Sequence, residues 1–248
     1  MIKFEITADT KELISLILKT CNVDLDSVGE YTDVAFVKQG EKTKIQLLQR
    51  DKFYTTDGHL GGCSKEGDPA TWTPGLWTYF VNKFGIKSVI DIGCGFGHST
   101  QYFQNIVEKV VGIEGSESII FESNNKHLIR HHDYATGPLK TELFDMAWSC
   151  EFVEHVDEIF LDNFIQTFKC AKYVLMTYAY PGQGGHHHVN EQPESYWIDA
   201  MERNGFEYLK NETIESRKVA LEDGRKYNSK YNDNHFSNRG LIFLNKAL

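Results

Sequence analysis

An α/β protein built on a doubly wound, mostly parallel sheet is the fold this sequence predicts. Two observations predict it. From Ser88 onward, short continuous apolar runs alternate with stretches of helical periodicity, and the first run leads into the glycine-rich turn of VIDIGCGFG, residues 89–97. Continuous hydrophobicity marks strands covered on both faces. Strand, helix, strand, helix in repetition gives an open sheet whose ligands sit beyond the carboxyl ends of the strands.

In chain order, SVIDIG, KVVGIE, HLIRH, LFDMAWS and YVLMTYA each read as a strand, rich in β-branched or aromatic residues. Between them, residues 98–109 repeat apolar side chains at Tyr102, Phe103, Ile106 and Val107. Residues 158–172 do so at Ile159, Phe160, Phe164, Ile165 and Phe168. Both predict helices. After Pro193, ESYWIDAMERNG has proline at its entrance and glycine at its end, as a helix would. FEYLKN and RGLIFLNK then bring the sheet to about seven strands. Residues 88–248 are thus read as the ligand-binding domain. Residues 1–87 are read as an N-terminal cap over the sheet edge and ligand mouth, with a helix at TKELISLILKT, a strand at KTKIQLLQ and then GHLGGCSKEGDPATWTPGLW.

The composition narrows the partners. With 248 residues and 41% hydrophobic content the chain can bury a full core. Its net charge of −9 is spread without a basic block, which disfavours nucleic acid. Five cysteines, with no C-x-x-C pair, suit a reducing compartment. The opening MIKFEITADT lacks a signal-peptide core, and no apolar run approaches the roughly 18 residues of a membrane span. A cytoplasmic protein without membrane attachment is expected.

The glycine turn is D-x-G-x-G-x-G from Asp91 to Gly97. Its glycines let a ligand approach bare backbone amides. A dinucleotide fingerprint would need glycine where His98 stands, so a nicotinamide cofactor is disfavoured. The carboxylate of Asp91 would repel a pyrophosphate and welcome an ammonium group. Glu114, 23 residues further on, ends the second strand where an acid can accept both hydroxyls of a ribose. Asp133, after the third, could accept from an adenine amino group while the Tyr134 amide meets a ring nitrogen. An amino-acid end, a ribose and an adenine together describe S-adenosylmethionine.

DIGCGFG, GIEGSE, HHDY and FDMAWSCEFVEHV, in that order, make the sequence resemble the class I S-adenosylmethionine-dependent methyltransferases from Ser88 to about Ala179. The resemblance implies a Rossmann-like seven-stranded sheet and methyl transfer from S-adenosylmethionine, with S-adenosylhomocysteine as product. It assigns Gly93, Gly95 and Gly97 to the methionine part, Glu114 to the ribose and Asp133 to the adenine, with Asp91, Cys94, Gly115, Ser116 and Tyr134 also expected at the cofactor. The wording of DGHLGG, GDPATWTPGLW and GQGGHHHVNEQPESYW is further similar to small methyltransferases of large DNA viruses, bacteriophages and bacteria, some of them like sugar O-methyltransferases.

Methyl transfer from a sulfonium is an in-line displacement, and a hydroxyl acceptor must lose its proton. Two constellations offer help. Glu151, Glu154 and His155 form E-x-x-E-H, whose spacing would place all three on one side of a helical turn as ligands for Mg²⁺ or Mn²⁺. Alternatively, Glu151 and His155 brace the loop, with either as a candidate base. Three histidines in PGQGGHHHVN supply a second candidate base: His187, with His186 as substitute. His59, Trp72, Trp77, Tyr178 and Tyr180 could line an aromatic mouth, Trp72 and Trp77 being equally readable as core anchors.

The expected acceptor is a hydroxyl of a sugar, glycan or other small molecule. An RNA ribose 2′-O-methyltransferase of the metal-dependent E-x-x-E-H type and a non-catalytic S-adenosylmethionine-binding module are the alternatives. SCEF stands where amino-methylating enzymes of nucleic acids carry N/D-P-P-Y, and Cys150 follows Ser149 where a cytosine C5 enzyme commonly has proline.

Overall fold

The computed structural model describes residues 33–39, 42–48 and 59–248. The chain divides into two compact units, Met1–Phe53 and Tyr54–Leu248. In the first, β1 (Asp33–Gln39) and β2 (Lys42–Leu48) pair as an antiparallel hairpin. β2 is the predicted strand; β1 is an addition. The predicted helix at TKELISLILKT lies outside the described residues.

The larger unit carries the seven-stranded sheet. Its strands are β3 (Ser88–Ile92), β4 (Lys109–Glu114), β5 (Ile129–His131), β6 (Phe144–Ser149), β7 (Ala171–Met176), β8 (Phe206–Tyr208) and β9 (Leu241–Asn245). They lie side by side in the order β5-β4-β3-β6-β7-β9-β8. All pairs from β5 to β7 are parallel, and β9 enters antiparallel between β7 and β8. Strand order reverses at β3, so the crevice beyond its carboxyl end, between the loops after β3 and β6, is where a ligand fits.

Period-two alternation divides each strand between two cores. Ile90, Ile92, Ala147, Val174, Met176, Leu241 and Phe243 face one layer. There they meet Phe164, Ile165 and Phe168 of α4 (Leu161–Phe168) and Trp197 and Met201 of α5 (Glu194–Arg203). Val89, Met146, Trp148, Leu175 and Ile242 face the other. Their cover is Leu76, Trp77, Phe80 and Val81 of α1 (Pro74–Phe84), with Phe103 of α2 (His98–Gln104). Burial on both sides is why the runs read as continuously apolar. Trp77 is therefore a core anchor, with Trp72 edge-on at 5.1 Å, and neither builds an aromatic mouth.

Two predicted helices are shorter than their periodicity suggests. α2 stops at Gln104 because the amides of Glu108 and Lys109 are claimed by the Lys87 carbonyl at the start of β4. α4 is preceded by a 3-10 turn at Glu158–Phe160, and Ala171 opens β7 after the Cys170 carbonyl accepts from Phe144 N at 2.8 Å. α3 (Glu117–Glu122) follows β4. The sequence reading missed α6 (Lys210–Tyr227) and α7 (His235–Arg239). The buried face of α6 is Thr213, Ser216, Ala220, Asp223 and Gly224, so no apolar stripe announces it.

Asp223 of α6 caps α1 from a distance. Thr73, the N-cap residue, makes no capping bond, and Asp223 accepts instead from Gly75 N at 3.1 Å and Leu76 N at 2.9 Å. Asp223→Ala strands the buried Leu76 donor and the half-buried Gly75 donor and should lower stability by about 1–3 kcal/mol in chemical denaturation. An unchanged midpoint would assign the cap no role in stability.

Candidate active site

The turn after β3 is bound to its neighbour strand by Gly93 N and Cys94 N, which donate to Ile113 O at 2.9 and 3.0 Å. Gly93, Gly95 and Gly97 all have positive φ, and a Cβ on Gly93 would stand 2.5 Å from the Phe152 ring. Glycine is required there on both counts. Cys94 turns its side chain into the protein against Gly112, and burial pushes its thiol well up.

Asp91 is buried, and its Oδ2 accepts from Ser99 Oγ and Thr100 Oγ1, each at 2.6 Å. Burial raises its carboxyl to about 6. Glu114 spans the crevice floor: Oε2 accepts from Gly95 N and Oε1 from Ser116 N, both at 2.9 Å. Burial pushes this group up as well, against the pull of those amides. Ser116 caps α3, its Oγ accepting from Ile119 N. Asp133 accepts from Ala135 N through Oδ1, while its Oδ2 lies 2.8 Å from His59 Nε2. The Tyr134 ring is core, edge-on to Phe152 at 5.6 Å. Gly93, Glu114 and Asp133 thus lie at the carboxyl ends of three adjacent parallel strands.

At the end of β6 the E-x-x-E-H residues part company. Glu151 has a φ of 53°, so the chain enters no regular helix there, and only Val153–His155 form a 3-10 turn. The Glu151 carboxylate turns to Arg239 Nη2, 3.1 Å from each oxygen, and to Thr177 Oγ1 at 2.9 Å. His235 Nδ1 stands 3.4 Å from Glu151 Oε2. Arg239, 88 residues downstream, had no motif to mark it.

Glu154 goes inward. It is fully buried, and neither carboxylate oxygen has a hydrogen bond of ordinary geometry among the described residues. Burial first, and the charge of Glu151 second, push its carboxyl well above the usual range. Its backbone carbonyl accepts from Val189 N at 2.9 Å and Asn190 N at 3.1 Å, which draws the histidine loop against it. One ligand atom from each of Glu154, His155 and His188 falls within 4.8 Å of the others. The group is therefore Glu154, His155 and His188, where the spacing had suggested Glu151 in place of His188.

Both imidazoles are held from behind. His155 Nδ1 lies 3.3 Å from the His187 carbonyl, and His188 Nδ1 lies 3.3 Å from Glu191 Oε1. Glu191 also accepts from Gly182 N at 2.8 Å and Gly184 N at 2.7 Å, shaping the loop. Partners of this kind hold a histidine ring in one orientation and fix its tautomer. His187 is buried with a φ of 53°, and His186 is half-buried. Burial lowers the pKa of both. Tyr178 is buried, with its hydroxyl on Glu194, whereas Tyr180 is exposed beside the Arg239 guanidinium.

A family profile described as a methyltransferase domain matches residues 90–176, the stretch that holds the glycine turn, Glu114, Asp133 and Glu154. Residues 90–176 thus carry a methyltransferase domain, on a sheet whose strand order and glycine turn are those the sequence resemblance implied. No curated protein matches the sequence. Among solved structures, the chain is similar to magnesium protoporphyrin IX methyltransferase (ChlM) from Synechocystis PCC 6803 with bound SAH, at 15% identity. That alignment covers 56% of this chain and 74% of the other, with a TM-score of 0.47. The methyltransferase domain of bacterial CtHen1-C is 16% identical over 71% of this chain and 98% of that one, with a TM-score of 0.48. The plantazolicin methyltransferase BpumL in complex with SAH is 15% identical over 55% and 65%, with a TM-score of 0.43. Among the described residues, no helix is long and apolar enough to cross a membrane.

Two outcomes follow from this geometry. Burial, reinforced by His188 and His187, holds His155 at about 3 against its ordinary 6.5. As pH falls through 6.5 the unfolded chain takes up a proton that the folded one refuses until about 3, so stability drops across that window. His155→Gln should flatten the decline by up to about 1.4 kcal/mol per pH unit in urea melts. Identical slopes for parent and variant would deny the buried neutral imidazole. A Cβ on Gly185 would stand 2.4 Å from His188 Nε2. Gly185→Ala should therefore displace that ring, and a crystal structure of the variant with His188 unmoved would refute the packing.

Proposed function

We propose that this enzyme methylates a hydroxyl of a sugar, glycan or other small molecule, assisted by a divalent cation on Glu154, His155 and His188. The observation that carries the reading is Glu154: a buried carboxyl with no hydrogen bond of ordinary geometry among the described residues, clustered with two imidazoles whose Nδ1 atoms are already engaged. A carboxylate in that position calls for a cation. Two nitrogens and one oxygen suit Mn²⁺ or another borderline metal better than Mg²⁺, which prefers an all-oxygen shell. Such an ion, when bound, lowers the pKa of a hydroxyl it touches.

The residues of this chain do the rest. The glycine turn lies along the methionine part, Glu114 takes the ribose and Asp133 the adenine. Asp91 supports the turn by bracing Ser99 and Thr100. His187, neutral at pH 7 because burial lowers its pKa, accepts the proton from the acceptor, with His186 the substitute. Glu151 is turned to Arg239 and bounds the acceptor side. The net charge of −9 favours a small acceptor over an RNA strand.

Metal analysis of the purified protein should find about one bound ion, lost in Glu154→Gln, and Mn²⁺ should raise the melting temperature of the parent only. EDTA should abolish turnover. Metal-free protein that turns over fully in EDTA would remove the ion from the mechanism. His187→Ala should lower kcat by about 10² to 10⁴ with little change in S-adenosylhomocysteine affinity. Because burial lowers the base, parental activity should be flat through neutrality and fall only below pH 6.5. Undiminished turnover in His187→Ala and His186→Ala would exclude this base. For the cofactor, S-adenosylhomocysteine should stabilise the protein where NAD does not, and Glu114→Gln should cost about 1–3 kcal/mol of that binding. Equal shifts with both ligands would reject the assignment of the turn.

A further inference from the structure

We propose that residues 59–67 are a strap laid into the cofactor crevice by the protein itself, which S-adenosylmethionine must displace in order to bind. The inference rests on the cofactor reading above and concerns its regulation. Three strap residues take the places that reading gives to the three parts of the cofactor. His59 Nε2 sits 2.8 Å from Asp133 Oδ2, the oxygen left over after Ala135 N has taken Oδ1. This is the acceptor that an adenine amino group would use. The Leu60 methyl groups come within 3.2 and 3.3 Å of where a Cβ on Gly115 would stand, beside Glu114. Cys63 Sγ is 2.9 Å from the corresponding point on Gly95, in the middle of the glycine turn. Atoms in van der Waals contact leave no layer between them for a ligand. Competition therefore follows from packing alone.

The far end of the strap is tied to the same wall. The Lys65 carbonyl accepts from His98 Nε2 at 2.9 Å, and Lys65 Nζ pairs with Glu122 at 3.2 Å. Two of these side-chain ties lie at the surface. The Lys65–Glu122 pair is about half exposed on the lysine side, and His59 is 57% exposed at the side chain. Exposed pairs of this sort contribute little. The cofactor brings stronger replacements: an amino group for Asp133, hydroxyls for Glu114 and a charged amino acid for the turn. A strap held lightly in place lowers the apparent affinity by the fraction of molecules in which it is closed.

The strap also reaches the methyl-transfer centre. A Cβ on Gly61 would meet the His155 ring at 2.5 Å, so the strap backbone lies against that imidazole. Displacement by the cofactor uncovers this face of His155. Cofactor then precedes acceptor in the order of binding.

The test uses the full chain, S-adenosylhomocysteine and two variants, His59→Ala and Lys65→Ala, each of which removes one tie. Calorimetric titration should show tighter binding in both, by about 3- to 10-fold, as the closed fraction is relieved. Hydrogen exchange of the parent should show amides 60–67 exchanging faster with the ligand than without it. Weaker or unchanged binding in both variants, or slower exchange at 60–67 on ligand addition, overturns the proposal and makes the segment a cover that holds the ligand. Absence of binding heat in parent and variants alike overturns the cofactor reading, and the strap with it, and is told apart by the parent alone.

Discussion

The carboxyl group of Glu154 sets the terms for everything around it. An ionised carboxylate buried without a donor is expensive, so the group must either stay protonated or meet a cation. Among the described residues neither oxygen of this carboxyl has a hydrogen bond of ordinary geometry. Glu151, the nearest carboxylate, is anchored to Arg239 and Thr177 and adds repulsion. The amides that reach Glu154, from Val189 and Asn190, bond its backbone carbonyl and bring His188 to its side chain. The strained backbone at Glu151 and His187 belongs to the same arrangement, because it aims one acid outward and one histidine carbonyl at His155.

The sheet was legible in the sequence because both faces of β3, β6 and β7 are buried, and the continuous apolar runs record this directly. The positions of Asp91, Glu114 and Asp133 were legible for a related reason: each follows or closes an apolar run, and each lies at or just past a strand end. α6 was not, since a helix that buries Thr213, Ser216 and Asp223 carries no apolar period. The cluster of Glu154, His155 and His188 was only half legible. The spacing of E-x-x-E-H assumes a helix from Glu151 onward, and a φ of 53° at its first residue breaks that assumption. His188 enters through long-range backbone bonds to Glu154, and no local pattern records those.

What joins the two halves of the site is the turn of chain just before α1. The carboxyl edge of a parallel sheet presents its loops side by side, so a single segment crossing that edge touches several of them at once. Residues 59–67 do so. Leu60 and Cys63 lie on the loops after β4 and β3, His59 lies on the loop after β5, and Gly61 lies on His155 after β6. Moving one contact of so short a segment moves the rest. A ligand that displaces Leu60 and Cys63 thus changes the surroundings of His155 by the same displacement, and the free energy of that coupling is reciprocal. An ion held by Glu154, His155 and His188 would by that argument feel the cofactor, and the cofactor the ion, without any direct contact between them.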